Sequence, residues 1–491
     1  MKYKLMGLAM SLIMIFCAVA ASAIESREGP YRWHQHMEAR GPSEDCSCSG
    51  EELCTHLPLI VIDTYGEEIP GEPIEASKVK ETGEYNEFTT ASDGSSNIAC
   101  SIKVMDSSVG NNHPSDKPEL ESEGRIRIRG NTSRRFDKKG YLLETTKDDY
   151  LTNRNVEMMG MDSHHEWAMH GPYMDKSLIR NYMWYNISGE IMDYAPNVRF
   201  CEVILNGEYI GLYVMTETIT NGNDSRLNMT EGDDRMDSVS YCIRQDRGSS
   251  NPVKNIDTFS TYAYRNKHVT DIVYPGAGNL TPERVGFITD DFSAFEKLLY
   301  SYDYNNEPYA WWNYADVDSF AEYFIINEFV CNYEVGARST YIYKDLRGKY
   351  KTCVWDLNTC CGNMVTRDQM HFEMQFLTWY FMMFKDVNFV DRVIERYRDL
   401  RETFLSEEYL NRYIDDVVEY LGPAIERNFE VWGYTFEDYR PLRPDNRNPE
   451  SHEEAIAQMK DFIHTRGKWM DENIETLLQY SHESKNKKFN H

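Results

Sequence analysis

Apolar and polar positions alternate with a period of two through much of the first half of this chain. Residues 57–63 (LPLIVID) read as a strand and residues 99–105 as a second. From Arg125 the run RIRIR sets Arg125, Arg127 and Arg129 on one face and Ile126 and Ile128 on the other. Gly130-Asn131 turns the chain, and residues 140–145 read as the returning strand. Residues 201–205 (CEVIL) and 208–214 (EYIGLYV) flank Asn206-Gly207, the dipeptide suited to a type I′ hairpin turn. Between these strands, 111–123 reads as a polar loop. The Gly/Asn/Asp-rich stretch 221–284 reads as an irregular insertion, and 24–55 as a polar, cysteine-containing leader that is disulfide-tied or loosely ordered.

One helical pattern interrupts the strand-rich first half, and from Thr281, in the second half, the signal becomes helical. A first helix is expected over 175–193, capped by Asp175, with Leu178, Ile179, Tyr182, Tyr185 and Ile187 in its apolar stripe. Thr281-Pro282-Glu283 is a cap-like start for a second, a third is expected over 318–331, and 368–480 reads as mostly helical. One hairpin, 341–345 with 349–356, crosses Leu346-Arg347-Gly348 inside this half, and 481–491 is a basic tail. Strands over 56–220 followed by helices over 285–480 predict an α+β fold in two lobes.

Composition narrows the setting. The first 23 residues hold two lysines, a long apolar run and Ala21-Ser22-Ala23 as a small-residue cleavage site, the pattern of a secretory signal; a retained anchor is the alternative. A secreted or cell-surface location follows. The net charge is −28, and removing those 23 residues, which carry two lysines and no acid, leaves −30. That surface repels nucleic acid and anionic membrane and favours a basic protein partner. Ten cysteines remain after the signal, an even number that in an exported chain predicts disulfides; Cys331, Cys353, Cys360 and Cys361 are candidates for one. Asn131, Asn186, Asn228 and Asn279 open glycosylation sequons.

Against so acidic a background, residues 125–141 (RIRIRGNTSRRFDKKGY) hold seven bases and one acid, Asp137. Three arginines on one strand face, the turn Asn131-Thr132-Ser133, and then Arg134, Arg135, Lys138 and Lys139 suit phosphate oxygens, which Arg binds bidentately and Lys as a point charge. A solvated face whose bases pair with acids elsewhere is the alternative. A second constellation is acidic: Asn332 and Glu334 precede the late hairpin, and Asp356 and Asn358 follow it. Two acid/amide pairs at neighbouring element ends suit Mg²⁺, which shares oxygen ligands with phosphates; capping of turn amides is the better explanation of either pair alone, and the presence of both pairs with the basic hairpin in one chain favours the metal.

Taken with the blocks NGEYIGLYV, FIINEFVCNYE, VWDLN and FIHTRGKWMDENI, the block RGNTSRRFDKKGY resembles the spore-coat CotH kinase family over residues 56–480. The resemblance implies an atypical, two-lobed protein-kinase-like fold and an enzyme that uses ATP and Mg²⁺ (or Mn²⁺) to phosphorylate Ser or Thr of a protein; the acidic surface makes a basic, Ser-rich protein the expected substrate. It implies Lys138 or Lys139 as the phosphate-binding lysine, with Arg129 and the turn Asn131, Thr132, Ser133 beside it. Glu217 falls at the hinge near the nucleotide, Asp356 and Asn358 (with Asn332 close by) at the metal, and Glu334 at the catalytic acid. The family pattern has Asp where this chain has Glu334, and W-D-x-D where it has Trp355-Asp356-Leu357-Asn358. A degenerate kinase acting in coat assembly, surface binding or adhesion is the alternative those departures imply.

Overall fold

The computed structural model describes residue 37 and residues 46–482, apart from 81–84, 223–225, 233–237, 264–268, 333, 364–369 and 438–447. The expected signal at 1–23 and residues 483–491 of the tail lie outside the described residues.

The alternating pattern of the first half closes on itself. β1 (Leu59–Asp63), β2 (Ile98–Met105), β3 (Leu120–Arg129), β4 (Gly140–Thr146), β7 (Glu166–His170), β8 (Val198–Leu205) and β9 (Glu208–Glu217) form a closed barrel in the order β1-β2-β3-β4-β7-β9-β8. Neighbours are antiparallel except β1 and β8, which run parallel with Leu59 opposite Glu202 and shut the ring. β5 (Val156–Met158) and β6 (Met161–His164) form a separate small hairpin. Ile126 and Ile128 of β3 point inward with Ile102, Leu143, Trp167, Met169 and Met215, so the arginines between them must face out. Each inward aliphatic side chain contributes about 1.5–3 kcal/mol by leaving water. β3 starts at Leu120, inside the stretch expected as a polar loop, because the ladder to β2 runs from Leu120 opposite Val104 to Ile126 opposite Ile98. Asn206 (φ 52°) and Gly207 (φ 82°) make the expected hairpin turn between β8 and β9.

The stretch 221–284 is not an irregular insertion. It supplies β10 (Tyr241–Asp246), β11 (Asn255–Ile256) and β12 (Val269–Tyr274), which join β13 (Thr340–Lys344) and β14 (Tyr350–Cys353) in a five-stranded antiparallel sheet ordered β11-β12-β10-β13-β14. Charge hides these strands in the sequence, because Arg244 sits opposite Asp271 and pairs with it at 3.0 Å across the ladder.

Nine α-helices lie among the described residues: α1 (Arg180–Ile191), α2 (Phe259–Ala263), α3 (Pro282–Leu299), α4 (Val317–Phe329), α5 (Tyr380–Met383), α6 (Val387–Arg401), α7 (Glu407–Leu421), α8 (Pro423–Trp432) and α9 (His452–Asn473). Thr281 caps α3 by accepting from Arg284 N at 3.2 Å. α1 begins five residues after Asp175. The Asp175 carboxylate still accepts from Arg180 N at 2.8 Å, across a bend in which Leu178 has φ 67°. Asn186, one of the sequon residues, is fully buried in α1. α1 joins the large helical core (Tyr182, Trp184, Ile187 with Phe324, Phe329 and Tyr413), separate from the barrel interior. α8 clamps the outside of the barrel. Trp432 Nε1 donates to Ile210 O at 2.9 Å and Asn428 Oδ1 accepts from Leu212 N at 3.1 Å, over Gly211 (φ 95°), where a Cβ would come within 2.7 Å of that oxygen. No helix among the described residues is long and apolar enough to cross a membrane. All ten described cysteines, including Cys331, Cys353, Cys360 and Cys361, are free thiols, so none of the expected disulfides is present among the described residues; Cys360 and Cys361 Sγ lie 3.7 Å apart.

Candidate functional site

A cleft of about 450 Å³ opens where the barrel meets the five-stranded sheet. Its cationic wall is the exit of β3. Arg127 and Arg129 line it, followed by Gly130, Asn131, Thr132 and Ser133. Arg125, on the same face but two residues earlier, is neutralised by Glu144 at 3.1 Å. Among the described residues neither Arg127 nor Arg129 sits in an ion pair. Burial pushes the Arg127 guanidinium down from its ordinary range, and Arg129 lies over the Trp355 ring at 5.4 Å. The turn is held from behind by Arg134, whose Nε donates to Gly130 O at 2.6 Å and whose guanidinium reaches Gly71 O at 2.7 Å. Gly130 has φ 103°, and a Cβ there would meet Ser133 Oγ at 2.0 Å, so only glycine allows the hydroxyl to fold back over the turn.

The acidic wall is set by α1 and the ends of the late hairpin. Tyr185 Oη accepts from Asp356 N at 2.8 Å and Asn181 Oδ1 accepts from Leu357 N at 2.9 Å, so two residues one helical turn apart hold the Asp356 loop. Asp356 has φ 61°, a left-handed conformation that is uncommon outside glycine and collects at functional sites. β14 ends at Cys353, three residues before the hairpin was expected to stop, which leaves Asp356 on the loop facing the cleft. Glu334 and Asn358 line the same cleft. Burial, then the neighbouring Asp356 carboxylate, raises Glu334 to about 7, while Arg247 and Arg338 oppose the shift. Burial likewise raises Asp356; Asp246 adds to this and Arg129 opposes it.

The third wall comes from β10 and the turn after it: Arg244, Asp246, Arg247, Gly248, Ser249 and Ser250. Sequence reasoning missed all six, although RQDRGSS repeats the arginine–glycine–hydroxyl order of the β3 exit. His170 also lines the cleft, and burial followed by Arg129 and Lys138 lowers its pKa to about 4.

Four expected site residues are not brought to this cleft. Lys138 is buried behind the barrel wall, with Nζ 2.5 Å from Asn428 Oδ1 and lying over Tyr213 and Trp432. Burial lowers its pKa well below the ordinary lysine range. Lys139 is held by Glu72 at 2.9 Å and by Arg134 O at 2.7 Å. Glu217 is fully buried and accepts from Asn197 N at 3.0 Å, tying β9 to the entry of β8. Asn332 is buried too; it donates to Asn327 Oδ1 at 2.9 Å and accepts from Glu334 N at 3.2 Å, so it orients the turn that presents Glu334.

The remaining donor set suits a divalent cation. Asn358 Oδ1 is buried with no hydrogen-bond partner, beside carboxylates whose charges burial and mutual repulsion disfavour. An unpartnered amide oxygen next to such carboxylates fits a hard, oxygen-binding ion. Facing arginines and turn amides fit a polyphosphate.

Among curated protein sequences none matches the chain. Residues 126–470 match the family described as CotH kinase protein, a span that covers well over half of the chain and all three walls of the cleft. The chain belongs to the CotH kinase protein family.

Proposed function

We propose that this cleft binds a nucleoside triphosphate with a divalent cation and transfers the terminal phosphoryl group to a Ser or Thr hydroxyl of a protein. The observation that carries the reading is the facing of Arg127, Arg129 and the 130–133 turn onto Glu334, Asp356 and Asn358 across one cleft. Family membership supports ATP and a divalent metal in general terms.

Phosphoryl transfer needs positioned charge more than covalent machinery. Arg127 and Arg129 take the phosphate role first expected of Lys138 or Lys139, and the amides and hydroxyls of Asn131, Thr132 and Ser133 orient the phosphate oxygens. Asp356 and Asn358 would hold Mg²⁺ or Mn²⁺, which when bound supplies charge neutralisation on the phosphates. Glu334 accepts the proton of the attacking hydroxyl; a carboxyl poised near neutrality suits that task. Ser249, Ser250 and Arg247 close the cleft from the sheet side. The net charge of −28 favours a basic substrate, and the apolar first 23 residues favour export to the surface or medium.

A second reading, a binding protein that takes up nucleotide without transfer, is favoured by Asn358, which brings an oxygen but no charge to the cation, and by Glu334, one methylene longer than the family's Asp. Incubation with labelled ATP, Mg²⁺ or Mn²⁺ and a Ser-rich basic protein separates the two. Transfer that vanishes in Asp356→Ala supports the enzyme. Binding without transfer supports the second reading, and absence of nucleotide binding with either metal defeats both.

A further inference from the structure

The strap ahead of the barrel, residues 46–56, and the loop after β2 bring three thiols and an imidazole together. Sγ of Cys46, Cys48 and Cys54 and a ring nitrogen of His113 all lie within 4.8 Å of one another. We propose that these four side chains bind one structural zinc ion, which pins the strap to the barrel. All four lie outside residues 126–470, so the site is an addition to what the family match covers.

Donor chemistry selects the metal. A closed set of three sulfurs and one imidazole suits Zn²⁺ in tetrahedral coordination, whereas Mg²⁺ and Ca²⁺ take oxygen. Bonds of about 2.3 Å to sulfur and 2.0–2.1 Å to nitrogen put tetrahedral ligand atoms about 3.6–3.8 Å apart. Cys46 Sγ and His113 Nε2 stand 3.3 Å apart, so ordinary side-chain adjustment brings this set to coordination distance.

The surroundings are built for that use. His113 turns Nε2 to the thiols because Nδ1 faces Asp116 Oδ2 at 3.0 Å, and His113 N donates to the same oxygen at 2.8 Å. A carboxylate behind a ligating imidazole fixes the ring's orientation and tautomer. Asn111 Nδ2 donates to Cys54 Sγ at 3.1 Å, the outer contact a thiolate ligand needs. The two segments are also tied independently of any ion: Thr55 and Asn112 exchange backbone hydrogen bonds of 3.1 and 2.6 Å, and Ser115 Oγ donates to Glu52 Oε1 at 2.6 Å. The cage is therefore pre-aligned, and metal binding would only expel the thiol protons to solvent. A disulfide would use two of the three sulfurs and leave the imidazole and Asp116 unexplained.

The site also has structural leverage. Immediately after Cys54, Thr55 Oγ1 accepts from Arg427 of α8 at 3.2 Å and His56 Nε2 lies 2.5 Å from Tyr420 O of α7. A fixed strap thus ties the barrel's β2–β3 loop to the C-terminal helices.

The test uses the full chain, purified without chelator or oxidant, with zinc measured by elemental mass spectrometry. One zinc per chain is expected, falling at least tenfold in Cys48→Ser/His113→Gln. Since that variant could unfold, Co²⁺ is titrated into the metal-stripped wild-type chain, where the intense visible bands of tetrahedral thiolate coordination are expected. Substoichiometric zinc in the wild type, only the weak bands of octahedral cobalt, or a disulfide among Cys46, Cys48 and Cys54 in peptide mapping each overturn the proposal.

Discussion

Two strands from two different sheets reach the cleft in the same way. β3 of the barrel ends Arg127-Ile128-Arg129 and turns through Gly130 into Asn131-Thr132-Ser133. β10 of the open sheet ends Arg244-Gln245-Asp246 and turns through Arg247-Gly248 into Ser249-Ser250. Each turn has a glycine at positive φ, 103° and 83°. Their charges differ. Arg127 and Arg129 face the cleft without a carboxylate in ion-pair distance among the described residues, whereas Arg244 is forked onto Asp271 at 3.1 and 3.0 Å and Arg247 pairs with Asp246 at 3.1 Å. Similar turns therefore have different duties: the barrel wall offers positive charge to a ligand, and the sheet wall spends much of its charge holding itself together.

The comparison can be broken in order of expected effect. Asp356→Ala should reduce phosphoryl transfer at least about a hundredfold in the labelled-ATP assay, since it removes the one carboxylate of the proposed metal pair. Arg127→Ala/Arg129→Ala should weaken nucleotide binding by roughly ten- to a hundredfold in a fluorescence titration, while Arg244→Ala should change it only a few-fold and instead lower the melting temperature by leaving buried Asp271 unpaired. Equal effects from both walls would erase the distinction. Gly130→Ala should cost about 1–3 kcal/mol in chemical denaturation, from strain at φ 103° and the Ser133 hydroxyl, with weaker nucleotide binding as a consequence. Lys138→Met should preserve transfer and change stability by less than about 1 kcal/mol at pH 7, because Asn428 Oδ1 keeps its bond from Leu212 N and a buried amine is replaced by an apolar chain of similar length. Loss of transfer there would restore the lysine to the phosphate site.

A last prediction concerns pH. The folded pKa of His170, about 4, lies below the ordinary 6.5 because burial and nearby cations disfavour the charged ring. The unfolded chain therefore binds this proton more readily. Its contribution to stability is complete above pH 6.5 and lost as pH falls toward 4. His170→Gln should flatten that part of the stability–pH curve, by up to about 3 kcal/mol across the window in denaturant titrations. An unchanged slope would contradict the assignment.

The β3 wall was legible in the sequence because seven bases cluster within 17 residues of an acidic chain. The strand period then placed the arginines on one face without any knowledge of neighbours. Glu334, Asp356 and Asn358 were legible as acid and amide groups at element ends. The β10 wall was not, because Asp246 and Asp271 cancel its arginines locally and the stretch reads as solvated loop until the ladder partner is seen. Lys138 misled for the opposite reason. A basic residue five positions beyond the 131–133 turn looks available, yet Gly171 and Asn428 close over it from segments 33 and 290 residues away. Closure of the seven strands was also hidden, because the parallel contact between β1 and β8 leaves no local pattern.

That closure limits how the protein can be trimmed. The family match begins at Ile126, yet the ring needs β1, β2 and the first six residues of β3, all upstream of it. A fragment cut at 126 would uncover the flanks of β8 and of what remains of β3, two unsatisfied edges ready to pair with other chains. It would also discard Gly71, whose carbonyl steadies Arg134 behind the 130–133 turn. Expression boundaries for this protein belong upstream of the strap at residue 46.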